Sequence, residues 1–306
     1  MDDIRAVLFQ GCEEDGDIHC MKMFRNGVFV YLLVYSTLVF SQPAELIKSA
    51  EGGNASAQNE LGLLLANGES VAQNYAEAVK WFRRAAEHGH IVAEYNLGML
   101  LMNGQGVAQN YAEAVKWFRR AAEKGDSSAQ NTLGWLLENG QGVAQNYAEA
   151  AKWFRRSAEQ GNAHAQNNLG LMLVNGQGVA QNNTEALKFF LGAAEQGHAE
   201  AEYNLGLMLL NGQGIARNNA EALKFFRRSA EQGYVLAQYN YGLMLAQGQG
   251  VKQNIYQAYI WLSLAASQDV TYSRARDYFG KTLSPAQLKK AQQEAVKIRQ
   301  AKAFAQ

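Results

Sequence analysis

The stretch from Ala129 to His164, AQNTLGWLLENGQGVAQNYAEAAKWFRRSAEQGNAH, holds the architectural plan of this 306-residue chain. Its Leu133-Gly134 pair returns every 36 residues, as Leu61-Gly62 and Leu97-Gly98 upstream and Leu169-Gly170 and Leu205-Gly206 downstream, with Tyr241-Gly242 in the last copy. Self-similarity at a fixed period of this length marks a repeat architecture. Six units follow one another without insertion: 57–92, 93–128, 129–164, 165–200, 201–236 and 237–272. Residues 42–56 read as a partial N-terminal repeat, because Ala50-Glu51 and Gly53 match Ala86-Glu87 and Gly89. Residues 273–306 read as capping helices.

Each unit predicts two helices. Helix A of the first copy spans about Ala57 to Asn67 and stops at Gly68, where a left-handed residue is needed. A short loop leads to Asn74, with Glu77 three residues later, the spacing of a capping box. The pair recurs as Asn110/Glu113, Asn146/Glu149, Asn182/Glu185 and Asn218/Glu221, and as Asn254/Gln257. Helix B then runs to about His88 and stops at Gly89. On helix A, Ala57, Leu61, Leu64 and Leu65 share one face; on helix B, Ala78, Phe82, Ala85 and Ala86 do so, with Trp81 beside them. Gly62 sits inside a helix at a cost of about 1 kcal/mol relative to Ala, so its recurrence predicts another helix passing close by. A lone hairpin cannot bury both faces, and stacked neighbours supply the core. Beyond the sixth copy, Ser284-Pro285-Ala286-Gln287 reads as the start of a final helix.

Composition narrows the function classes. The 28 Lys+Arg balance the 28 Asp+Glu, so no basic field points to nucleic acid. Both cysteines, Cys12 and Cys20, lie near the N-terminus. A short basic region from Met21 precedes an apolar run, Val28 to Phe40, and then Ser41-Gln42-Pro43-Ala44. The run is shorter than the ~20 residues a bilayer span needs, and the pattern predicts a secretory signal peptide over 21–41, cut after Ser41, with an uncleaved anchor as the competing reading. Residues 1–20 then read as an extension from a misassigned start. Three basic and six acidic residues precede Gln42, leaving 25 and 22 in the mature chain, which would hold no cysteine and keep no stable membrane span. The expected location is the periplasm or the medium of a bacterial cell.

The signature Ala-x-x-x-Leu-Gly, Asn-Gly-x-Gly-Val, Ala-x-x-Trp-Phe-x-x-Ala-Ala-Glu-x-Gly resembles the Sel1-like repeat family, relatives of tetratricopeptide repeats. Leu283-Ser284-Pro285-Ala286-Gln287-Leu288 resembles that family's closing helix. The resemblance covers residues 44 to 300. It implies an all-α, right-handed superhelical α/α solenoid that scaffolds protein complexes on its concave surface, and for this chain a protein or peptide ligand.

The partner is expected on the side of helix A away from the core stripe, where three rows vary between copies. The first row reads Asn59, Tyr95, Asn131, Asn167, Tyr203, Tyr239. The second reads Leu63, Met99, Trp135, Leu171, Leu207, Leu243, and the third includes Met102, Glu138 and Leu210. An outward face this apolar and aromatic suits an interface, and the competing reading is packing between adjacent A helices. The recurring arginine pairs (Arg83-Arg84, Arg119-Arg120, Arg155-Arg156, Arg227-Arg228) read as a solvated outer face of helix B rather than an acidic-ligand track.

Chemistry is sparse. The Gly-x-Gly turns follow helices and lack a Gly-Lys-Ser/Thr ending, so they are turns and not phosphate loops. His88 and His90 share a loop, and His164 and His198 fall in separate inter-repeat turns, which predicts no metal site. No cofactor and no enzyme activity are expected. The alternative, β-lactam binding or weak hydrolysis as in cysteine-rich relatives, lacks their repeated cysteines and any Ser-x-x-Lys or Lys-Thr-Gly.

Overall fold

The computed structural model describes residues 44–68 and 71–303, so Cys12, Cys20, the extension at 1–20 and the expected signal peptide at 21–41 lie outside the described residues. Residues 44–51 form α1. The A helices follow as α2 (Ala55–Asn67), α4 (Ile91–Asn103), α6 (Ser127–Asn139), α8 (Ala163–Asn175), α10 (Ala199–Asn211) and α12 (Val235–Gln247). The B helices alternate with them as α3 (Tyr75–Glu87), α5 (Tyr111–Glu123), α7 (Tyr147–Glu159), α9 (Asn183–Glu195), α11 (Asn219–Gln232) and α13 (Ile255–Gln268). A 3-10 turn (Val270–Tyr272), α14 (Ser273–Gly280) and α15 (Pro285–Ala303) complete it. Among the described residues there is no strand, and the chain is an all-α solenoid of tandem helical hairpins. It divides into two compact units, one up to Ala93 and one from Glu94 onward.

Local chemistry explains where each helix begins and ends. The A helices start two residues before the expected Ala57, because Asn54, Asp126 and Asn162 act as N-caps, accepting from the amides of Ala57 (3.0 Å), Ala129 (2.7 Å) and Ala165 (3.0 Å). The repeat therefore begins at Ala55. The B helices begin at the expected asparagines, and Asn146 Oδ1 accepts from the Glu149 amide at 3.0 Å. The reciprocal half of the expected capping box does not form, because the Asn146 amide donates instead to the Leu137 carbonyl of α6 at 2.9 Å. The same backbone bond ties Asn110 to Leu101 and Asn182 to Leu173. It pins the A helix of each hairpin to the first turn of its B helix, and it frees the glutamate for other partners.

In the first unit, Ala50, Ala57, Leu61 and Trp81 form a buried cluster, with Leu46 and Leu65 packed against it. In the second, Phe118, Phe154, Phe190 and Phe226 are all but fully buried at successive repeats. Each ring lies against the helical glycine of its own hairpin. A Cβ on Gly134 would stand 2.8 Å from the Phe154 ring, closer than any real packing contact, so the recurring glycine is where helix B of the same hairpin passes close, with its aromatic ring seated on the gap. In the sixth copy Leu262 replaces the ring opposite Gly242. The loop glycines solve a different problem. Gly142 has φ 69°, and a Cβ there would stand 2.4 Å from the Tyr111 carbonyl carbon, so the loop of one repeat rests directly on the first turn of the preceding B helix. At the C-terminal end, Ala291 and Ala295 of α15 bury against Tyr259 and Ile260 of α13, which closes the last hairpin.

Candidate functional site

The three variable rows on the A helices do not share one environment. The first row turns toward the neighbouring A helix and is largely absorbed by the fold. Asn167 is 1% exposed and Asn59 is also buried. Side-chain bonds join one A helix to the next: Asn168 Nδ2 to Asn131 Oδ1 (3.2 Å), Asn204 Nδ2 to Asn167 Oδ1 (2.9 Å) and Asn240 Nδ2 to the Tyr203 hydroxyl (3.4 Å). Tyr95 and Tyr203 pack on the core rings Phe118 and Phe226 of their own hairpins, with centroids 5.7 Å and 5.6 Å apart, and burial pushes both hydroxyls up from their ordinary pKa. Tyr239 stacks on Tyr272 at 4.6 Å. The expected outward placement of this row is thus corrected. A position about 160° from the core stripe still faces protein when a second A helix lies alongside.

The second and third rows remain open. Trp135 is 40% exposed and Leu63 37%, while Met99, Leu171, Leu207 and Leu243 are half-buried. Met102, Glu138 and Leu210 are half-buried beside them. Within the second unit the strip is therefore apolar, with one indole standing clear of it. Burial pushes the Glu138 carboxyl, one turn from Trp135 on α6, above the usual carboxylate range.

The arginines of the B helices are wired into the structure. Each second arginine stacks on an aromatic ring one turn back: Arg84 on Trp81 and Arg120 on Trp117 at 4.6 Å, Arg156 on Trp153 at 4.7 Å. Two first arginines reach across to the next repeat, where Arg119 bonds Glu149 at 2.6 Å and Arg155 bonds Glu185. That bond holds the Glu149 carboxyl below the usual carboxylate range. These are the glutamates released by the missing half of the capping box. The arginine pairs thus lie on an outer face that is largely solvent-exposed, as expected, with a helical ion pair from Arg227 to Glu231 at 2.7 Å, and the contacts between repeats add to it.

A buried polar position on each A helix completes the wiring. Gln58, Gln130, Gln166 and Gln238 donate to the carbonyls of Ala50, Ala122, Ala158 and Ala230 on the preceding helix. At Glu94 and Glu202 the residue has no proton to donate, and the pattern inverts. Glu94 accepts from Arg120 (2.9 Å) and Lys124 (2.8 Å). Glu202 pairs with Arg228 (2.6 Å) and Gln232 (2.8 Å), and Arg228 itself donates to the Ala194 carbonyl (3.2 Å) that a glutamine would have served.

His164 and His198, expected in separate turns, meet. His198 Nε2 lies 3.0 Å from His164 Nδ1 with the rings edge-on, because stacking sets neighbouring A-helix N-termini side by side. His198 also caps α10 by accepting from the Ala201 amide at Nδ1 (3.3 Å). Burial first, then the nearby His164, lowers the His198 pKa. A depressed histidine pKa means the native state binds the proton less tightly than the unfolded chain. Its contribution to stability is full above the unfolded value of about 6.5 and is lost as pH falls below it. Thermal melts should show this loss, and His198→Asn, which keeps an N-cap acceptor, should flatten it. No group of three metal-ligating side chains occurs among the described residues.

Tandem hairpins of this kind, with buried core rings and a variable apolar strip on one helix of each pair, define a repeat scaffold. The Sel1 repeat family profile matches residues 55–90, 91–126, 127–162, 163–198, 199–234 and 235–270, in the register that the A-helix caps set. The chain belongs to the Sel1 repeat family. It is similar to the structure of a protective antigen present in uropathogenic Escherichia coli strains that displays an SLR fold. That match has 36% identity, a TM-score of 0.74, and coverage of 83% of this chain and 56% of that one, so the chain spans little more than half that protein's length. A Sel1 repeat protein from Oxalobacter formigenes matches at 34% identity and a TM-score of 0.65, over 70% of this chain and 85% of that one. A search of curated proteins found no match. Sel1 repeat proteins generally mediate protein–protein interaction, and their solenoids are typically non-enzymatic scaffolds.

Proposed function

We propose that the chain is an exported, non-catalytic scaffold that holds a protein or peptide partner on the A-helix strip of residues 94–303. The observation that supports this most is Trp135, exposed at the middle of an apolar strip whose neighbours are half-buried. Indole side chains that can be desolvated by a partner are where interfaces concentrate their energy. Glu138 adds a carboxylate whose raised pKa a basic group on the partner would relieve. The B-helix face offers no comparable opening, since its arginines are spent on rings and glutamates of the solenoid. Export rests on the pattern at 21–41, and the Escherichia coli relative, a protective antigen, adds support.

The test is quantitative co-purification from the native cell with wild type and Trp135→Ala. The variant should lose the captured partner by tenfold or more, the scale of a hot-spot truncation of about 1.4 kcal/mol or greater, while its melting temperature stays near wild type. Equal capture by both proteins would overturn the placement. For export, N-terminal sequencing of the protein recovered outside the cytoplasm should begin at Gln42, and a product that retains residues 21–41 would count against a cleaved signal.

A further inference from the structure

We propose that the cleft between α13, α14 and α15 is a second binding site, which takes one carboxylate of an acidic segment on a protein partner. The cleft is open, about 450 Å³, and lies at the C-terminal end of the second unit, away from the A-helix strip. Two arginines line it. Arg276 donates from Nε and one Nη to Asp277 Oδ1, each at 2.7 Å, which leaves three N–H groups of its fork outside that pair. Arg299 has no ion-pair partner among the described residues. Two guanidiniums and one carboxylate leave one positive charge, which matches a single incoming anion. Leu264 and Val296 flank it and provide apolar surface for the stem or neighbour of the bound acid.

The surrounding charge points the same way. Residues 273–301 carry seven Lys/Arg against two acids, Asp277 and Glu294, whereas residues 44–272 carry 17 basic against 20 acidic side chains. The positive charge of the folded chain is therefore concentrated on the cap. Glu294 is not among the residues that line the cleft, and its carboxylate accepts from the Tyr256 hydroxyl at 2.7 Å. A field of this kind steers an acidic segment to the cap, and the arginine fork fixes one carboxylate in place. A negatively charged folded surface would be repelled by the remainder of the solenoid, so a short acidic stretch fits better.

The probe is a fluorescently labelled dodecapeptide of mixed glutamate and leucine, titrated into the full chain by anisotropy, with inorganic phosphate as a competing arm. Arg299→Gln should weaken binding about tenfold, as loss of a charge-assisted bond does. Lys289→Gln, an exposed basic residue of α15 outside the cleft, should weaken it less than twofold. Arg299 is exposed, so both variants should keep the wild-type melting temperature. Trp135→Ala should bind the peptide normally, which separates this site from the A-helix strip. Equal losses at Arg299 and Lys289 would show diffuse charge attraction and overturn the proposal. Absence of peptide binding, or binding of phosphate alone, would overturn it as well.

Discussion

Phe154→Ala should lower the unfolding free energy by about 3–5 kcal/mol, the range for removing a fully buried aromatic ring. The ring is buried and fills the space above Gly134, so truncation empties the centre of the third hairpin. The converse change tests the same contact from the other side. Gly134→Ala gains about 1 kcal/mol of helix propensity, yet places a methyl 2.8 Å from the Phe154 ring. The ring cannot retreat from a close-packed core without strain of about 1–3 kcal/mol, so the net change should be destabilising. Urea unfolding of both variants decides the matter. A Gly134→Ala protein as stable as wild type would show that the ring has room to yield. Because each repeat is supported mainly by its neighbours, damage at the third hairpin should also broaden the transition as the array loses cooperativity.

Arg228→Ala is expected to cost about 3 kcal/mol, the low end for leaving a buried charge unpaired, since the arginine itself is half exposed. Glu202 is 1% exposed and would keep only Gln232 as a partner, and the Ala194 carbonyl would lose its donor. In wild type, burial already holds the Glu202 carboxyl above the usual carboxylate range, against the opposing pull of Arg228. Removing the arginine should raise it further. A carboxyl whose folded pKa lies above its unfolded value favours the native state when protonated, and that contribution is lost as pH rises through the folded pKa. The deficit of Arg228→Ala should therefore be larger near pH 7.5 than near pH 4.5. Adding Glu202→Gln should restore most of it, because glutamine occupies the matching positions 130, 166 and 238 and donates to the carbonyl there. A deficit that is independent of pH, and that glutamine does not repair, would show that Arg228 acts through its stacking on Phe225 instead.

Most of the fold was legible in the chain because its determinants are local. The Asn-Gly helix stops, the B-helix asparagine caps and the alternating rings and alanines each act within a turn or two of themselves. The A-helix caps are equally local, but Asn54, Asp126 and Asn162 sit at the seam between copies, three residues ahead of the apolar stripe that marks the helix. The partner face was only partly legible. A helical wheel assigns one buried stripe, whereas an A helix in a stack is covered by its own B helix and by adjoining A helices. Asn167 and Tyr203 are therefore taken up by the fold, while Trp135, one turn past the matching position Asn131 on α6, stays open.

The division follows from the range of each interaction. The sequence alone determined the period, the hairpins and the polar caps, since hydrogen-bond geometry and apolar spacing within 36 residues suffice for these. Only the tertiary structure decided what lies 30 to 37 residues apart: the bond of Arg119 to Glu149, the meeting of His164 with His198, and the asparagine links between A helices. Stacking brings these groups within 3.4 Å or less of one another, and no local pattern encodes which residue of the next copy a side chain will face.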